Sequence, residues 1–169
     1  MYPGMEVDTL DAIRERNSRY SAKMRAVRIV SASAVSKRDL ETRLVRKGES
    51  EEQAREAVQW LEDLKLVDDG VTARQIVASC VRKGYGRSRA KQALYEKQIP
   101  KDLWEEALED YPDQTERIAD FLRTKLRDPE DPRQVRRAID AALRRGHSYG
   151  SVKRALELIG TESDFEEEY

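Results

Sequence analysis

Residues 44–61, LVRKGESEEQAREAVQWL, read as the end of one helix, a glycine stop, a serine cap and the opening of an amphipathic helix. The same frame occurs three times. Setting Leu44 against Leu94 and Ala142 brings Lys47, Lys97 and Arg145 into one column, Gly48, Gln98 and Gly146 into the next, and Ser50, Pro100 and Ser148 into a third. In the helix that follows, Ala54, Trp104 and Val152 correspond, then Ala57, Ala107 and Ala155, then Val58, Leu108 and Leu156, and finally Leu61, Tyr111 and Ile159. The spacing of these apolar columns is the stripe along one face of an α-helix. Copies are offset by 50 and then 48 residues. A unit of this kind cannot bury its apolar face alone, so copies must stack. Tetratricopeptide and ankyrin units are shorter, and their signatures are absent.

Composition supports helices. Charged residues make up 38% and aromatics 7%, and no stretch alternates Val, Ile and Thr as a strand would. The expected fold is all-α, an elongated, curved array of three tandem three-helix repeats. No run approaches the roughly 18 apolar residues that span a membrane. The opening MYPGMEVDTL has neither the basic region nor the apolar core of a secretory signal. A cytoplasmic chain with no membrane partner is therefore expected. Cys80 has no second cysteine to pair with, and His147 is the sole histidine, so neither a disulfide nor a zinc cluster is expected.

Taken in order, residues 1–20 form an N-terminal segment, partly disordered or a short helix carrying Leu10, Ile13 and Asn17. Repeat one spans 21–68. Met24, Val27 and Val30 line its first helix, Ser36 opens the second, and Ser50 with Gln53 caps the third. Repeat two spans 69–111. Thr72 with Gln75 caps its first helix, whose stripe is Ile76, Val77, Cys80 and Val81. Gly84-Tyr85-Gly86 breaks the chain, and Pro100 opens an acidic helix containing Trp104. Repeat three spans 112–160, with Ile118, Phe121, Leu122 and Leu126 on its first helix and Val135, Ala138 and Ala142 on its second. Residues 161–169, TESDFEEEY, read as an acidic disordered tail.

The formal net charge of −1 conceals a pattern. Successive segments 21–48, 49–70, 71–101, 102–120 and 121–154 carry +6, −6, +7, −7 and +6. The sign alternates in step with the repeats, so each second helix carries a basic cluster. The first is Lys37, Arg38, Arg43, Arg46 and Lys47. Arg87, Arg89, Lys91 and Lys97 form the second, and Arg133, Arg136, Arg137, Arg144 and Arg145 the third. These are the candidate partner-binding residues. A plainer role competes, since Lys47, Lys97 and Arg145 sit at helix C-termini, where a cation stabilises by about 0.3–1 kcal/mol.

Ala26-Val27-Arg28-Ile29-Val30, followed by Ser36-x-x-Asp39-Leu40-x-x-x-Leu44-x-x-Lys47-Gly48, resembles the opening of bacterial RecX regulatory proteins. Leu64-x-x-Val67-Asp68-Asp69-x-x-x-Ala73 and Gly84-x-Gly86-x-x-Arg89-x-x-x-Ala93-Leu94-x-x-Lys97-x-Ile99 are similar to that family's central stretch. The likeness covers about residues 22–159 and lies in the register of many positions, not in one short motif. Gln98 replaces the family's glycine and Thr72 its aromatic residue. The resemblance implies three-helix repeats, no catalysis and no cofactor. As partner it implies the RecA recombinase filament on single-stranded DNA, whose ATPase, strand-exchange and co-protease activities the family restrains.

Weak direct contact with nucleic acid is compatible with the clusters, and the chain is read as a monomer. A helical nucleic-acid-binding array acting without RecA, or a protein adaptor of the HEAT or armadillo kind, are the other classes the residues allow. Trp104 and Cys80 read as core by periodicity, and Trp60 as lying at a seam between repeats. Tyr85 and Tyr149, in turns beside glycines, could stack on bases. Asp68 and Asp69 read as turn and cap, since no histidine or third ligand lies near them in sequence. No nucleophile–base pair and no glycine-rich phosphate loop is present, which argues against an enzyme.

Overall fold

The structure, a computed structural model, describes residues 3–160. Among them are nine α-helices and no strand: α1 (Pro3–Ala32), α2 (Lys37–Arg46), α3 (Glu51–Asp63), α4 (Asp69–Arg82), α5 (Arg87–Glu96), α6 (Trp104–Leu108), α7 (Thr115–Lys125), α8 (Pro132–Arg144) and α9 (Tyr149–Leu158). A single 3₁₀ turn, Lys101–Leu103, precedes α6. The expected acidic tail, 161–169, lies outside the described residues.

By packing, the chain forms two compact units. The first comprises the residues up to Ala73 together with Lys97–Leu103, and the second Arg74–Glu96 with the chain from Trp104 onward. In the first, Ala22, Ala26 and Ile29 of α1 are buried with Leu40 and Leu44 of α2 and Ala54, Ala57, Val58 and Leu61 of α3. Alanines on both α1 and α3 let the two backbones approach closely, and each fully buried leucine contributes about 1.5–3 kcal/mol. In the second, Ile118, Ala119 and Leu122 of α7 pack with Val135, Ala138, Ile139 and Ala142 of α8 and Val152, Ala155 and Leu156 of α9. Leu44, Leu94 and Ala142, aligned in sequence, are all fully buried.

Capping chemistry sets the helix starts. Ser36, Ser50 and Ser148 each accept the backbone N–H three residues on, from Asp39 (3.0 Å), Gln53 (3.2 Å) and Ser151 (3.1 Å). Four expectations need correction. Residues 3–32 form one continuous helix, not a separate segment followed by a first repeat helix. Its buried face is Ala22, Ala26 and Ile29, with Val27 and Val30 at the edge and Met24 only half-buried. Helix α4 begins at Asp69 and is capped by Asp68, whose Oδ1 accepts from Gly70 N (2.8 Å) and Val71 N (3.2 Å). Thr72 lies inside that helix, buried, with its hydroxyl donating to the Val35 carbonyl at 3.3 Å.

The fourth correction concerns Pro100. Proline has no hydroxyl to cap with, and the chain there tightens into a 3₁₀ turn with Leu103 N donating to Pro100 O at 3.0 Å. Only five α-helical residues follow before the Tyr111-Pro112 stop, and of the four striped positions Leu108 alone is fully buried. Just upstream, Gln98 holds φ +57°, where its aligned counterparts are Gly48 at +102° and Gly146 at +91°. A side chain in the left-handed region costs about 1–2 kcal/mol. Gln98→Gly is therefore expected to stabilise the fold by about 0.5–1 kcal/mol after the greater freedom of the unfolded glycine is deducted. A thermal midpoint unchanged or lowered would count against this.

Candidate partner-binding surface

The structure separates cations consumed inside the fold from those left facing solvent. On α2, Lys37 donates its backbone N–H to Asp69 Oδ1 (2.8 Å), and its Nζ pairs with Glu62 (3.2 Å). Arg43 pairs with Asp39 one turn earlier at 3.0 Å. Such half-exposed pairs contribute about 0–1 kcal/mol and hold each cation to a local partner. Arg38, Arg46 and Lys47 are exposed and carry no ion pair among the described residues. The Lys47 carbonyl is satisfied by the guanidinium of Arg25 on α1, which also pairs with Glu49 at 3.2 Å.

In the second unit the C-terminal end of α4 consumes more charge. Five consecutive carbonyls each accept a hydrogen bond from a side chain. Arg117 donates to Val81 O and, at 3.2 Å, to Arg82 O. Arg145 Nη2 donates to Lys83 O at 2.6 Å. His147 Nε2 bonds Gly84 O at 2.9 Å, and the Tyr111 hydroxyl donates to Tyr85 O at 2.5 Å. A helix end leaves its last carbonyls unpaired and partially negative, so cationic and neutral donors both stabilise it. The Tyr85 ring lies 4.1 Å from the Arg89 guanidinium carbon and 5.1 Å from that of Arg145, and Phe121 lies 4.8 Å from the latter. Two guanidinium groups thus engage Tyr85.

Burial sets the protonation of this cluster. It is the main cause lowering the His147 pKa from its ordinary value, against the Gly84 bond, so the imidazole is neutral and Nε2 serves as donor. Burial also pushes Tyr111 up to about 12. An unfolded tyrosine ionises near pH 10, so the folded state holds this proton more tightly and stability falls as pH rises from 10 toward 12. The unfolding midpoint of the parent chain is expected to drop over that window more steeply than that of Tyr111→Phe. Parallel slopes would contradict the assignment.

Of the remaining candidates, Arg87 and Lys91 on α5 and Arg133, Arg136, Arg137 and Arg144 on α8 are exposed. Lys97 is half-buried and belongs to the first unit. Arg89 is exposed yet occupied, since its Nη1 also donates to Arg144 O at 3.3 Å. Arg87 and Lys91 line an open cavity of about 770 Å³ together with Arg154, a cation outside the three expected clusters. Sequence reading also missed the internal roles of Arg25 and Arg117. Arg117 left one trace, as the only cation in the otherwise acidic segment 102–120.

Trp60 packs against the core of the first unit, with the Lys23 ammonium 5.2 Å from its ring centre. Trp104 is half-buried at the start of α6, and Cys80 is buried. Among the described residues, no group of His, Cys, Asp and Glu side chains is placed to hold a metal ion. No described helix is long and apolar enough to cross a membrane.

Comparison with known proteins places this arrangement. The family model for the second three-helix domain of RecX matches residues 68–108. The regulatory protein RecX of Chlorobaculum tepidum is 31% identical over 153 residues, covering 88% of this chain and 95% of that protein. In structure, the chain is similar to the crystal structure of RecX from Lactobacillus salivarius, with a TM-score of 0.74, 20% identity and coverage of 85% and 97%. It is similar also to a crystal structure of regulatory protein RecX, with a TM-score of 0.71, 19% identity and coverage of 92% and 77%. These two share the all-α helical-repeat fold. The near full-length match at 31% identity fixes the family, and this chain belongs to the RecX regulatory proteins.

Proposed function

We propose that this chain is a non-catalytic, cytoplasmic regulator that binds, as a monomer, the RecA filament on single-stranded DNA. It restrains the filament's ATPase, strand-exchange and co-protease activities, and so acts in recombinational repair and the SOS response. The observation that carries this reading is the match to a regulatory RecX protein along 95% of that relative's length. Segments 21–68, 69–111 and 112–160 are read as its three repeats, each presenting one basic second helix.

Within those clusters, the exposed cations are the ones a partner would meet: Arg38, Arg46 and Lys47 on the first, Arg87 and Lys91 on the second, and Arg133, Arg137 and Arg144 on the third. Lys37, Arg43, Arg89 and Arg145, by contrast, have partners within the fold. A charged face of this kind steers association and makes it salt-dependent. Fluorescence anisotropy with a labelled chain and preformed RecA filaments tests the reading. Binding is expected to weaken steadily with added salt, and Arg133→Glu with Arg137→Glu to weaken it by about tenfold with helicity retained. Equal binding to bare oligonucleotide and to filament would favour a nucleic-acid array independent of RecA.

A further inference from the structure

Helix α1 runs for 30 residues, yet none of residues 9–21 is buried. Its packed face is Ala22, Ala26 and Ile29, and Arg19 ties it to α3 through Glu56 at 3.3 Å. At about 3.6 residues per turn, Leu10, Ile13, Asn17, Tyr20, Met24 and Val27 fall on the opposite side of the helix. Leu10 is 52% exposed, Ile13 46% and Tyr20 66%. Asn17 is exposed too, and Met24 and Val27, half-buried, carry the line to the edge of the core.

Single exposed apolar residues are ordinary, but these six positions are spaced three, four, three, four and three apart. That is the a and d seam of a heptad repeat, the spacing that keeps one face turned toward a second helix. Solvent imposes no such register. Leu10, Asn17 and Met24 take a, and Ile13, Tyr20 and Val27 take d. A lone asparagine at a is the device that fixes register and strand number between paired helices.

The flanking e and g positions are Thr9, Arg14, Arg16, Ser21, Lys23 and Arg28, four of them cationic and none acidic. Arg16 and Arg28 are exposed and have no ion pair among the described residues. Arg14 meets Asp11 only at 4.0 Å, with both side chains mostly in solvent. Asp11 and Glu15 sit off the seam, at b and f, and Glu49, bonded to Ser21, is buried against Arg25. Charges at e and g choose the partner. A parallel second copy would set Lys23 against Arg28 and offer no acid to either, so the flanks select an acidic helix instead.

We propose that the seam from Leu10 to Val27 docks an amphipathic helix of another protein, apolar at its own a and d positions and acidic at e and g. The proposal does not rest on the RecA reading, and its test contains no RecA.

Two labelled synthetic peptides of three heptads serve as probes, each with leucine at a and d except for one central asparagine at a. One carries glutamate at every e and g, the other lysine. The full chain is titrated into each and binding is read by fluorescence anisotropy. The glutamate peptide is expected to bind saturably, and the lysine peptide at least about tenfold more weakly. Ile13→Gln with Tyr20→Gln, neutral helix formers on the exposed face, is expected to abolish binding with the unfolding midpoint retained. Arg16→Glu with Arg28→Glu is expected to reverse the preference, so that the lysine peptide binds the tighter. Equal binding of the two peptides, no saturable binding of either, or binding that survives Ile13→Gln with Tyr20→Gln would overturn the proposal. So would sedimentation of the chain alone as a dimer that those two substitutions dissociate, which would give the seam to a second copy.

Discussion

Gly86→Ala is expected to unfold the second unit. A Cβ at this position would stand 2.1 Å from Gly146 O, 2.2 Å from Gly146 C and 2.4 Å from His147 N. All three are backbone atoms, so no rotamer change relieves the clash. The two corners must separate, which breaks the bond from Gly86 N to Arg145 O (2.8 Å) and that from Ser88 N to Gly146 O (3.3 Å). The expected loss is about 3 kcal/mol or more, at the upper end of overpacking. Gly146→Ala should be comparably severe, since that residue combines φ +91° with the Arg89 backbone nitrogen 2.5 Å from a built Cβ. Gly150→Ala is the control, its nearest obstacle being the tip of Arg154 at 3.8 Å. Urea unfolding followed by circular dichroism reads all three, and near-equal midpoints would show that the corners are not in close contact.

The next largest effect is expected at Arg145. Its guanidinium bonds Lys83 O at 2.6 Å and lies against both Tyr85 and Phe121. Removing it leaves a helix-terminal carbonyl unpaired and takes one of two cations from each of the Tyr85 and Phe121 rings, which keep Arg89 and Lys125, a loss of about 2–4 kcal/mol. Lys47 occupies the same column of the repeat but is exposed, so Lys47→Ala should cost less than about 0.5 kcal/mol. Arg145→Lys should recover only part of the loss, because an ammonium lacks the flat fork that stacks and donates together. Equal costs at Lys47 and Arg145 would mean that repeat register alone, and not local packing, sets the role of each cation.

That contrast marks what the sequence could reveal. Register and apolar spacing located the buried columns, because one missing face along a helix is costly and leaves a periodic trace. Leu44, Leu94 and Ala142 could be aligned before any coordinates and are all fully buried. Serine caps were legible for the same reason, since the hydroxyl and the N–H it serves are three residues apart. Thr72 failed as a cap because Asp68, four residues earlier, offered a carboxylate to the same helix end. Pro100 misled because a proline fits a first turn yet caps nothing. The internal arginines were illegible. Arg145 serves a carbonyl 62 residues away and Arg117 one that is 36 away, and local periodicity carries no record of such distances.

The central claim is that the chain restrains the RecA filament. Its most direct test is ATP hydrolysis by preformed RecA filaments on single-stranded DNA as the purified chain is titrated in. The rate is expected to fall progressively, and to fall less with Arg133→Glu and Arg137→Glu. A rate unchanged at several-fold excess of the chain over RecA would contradict the account.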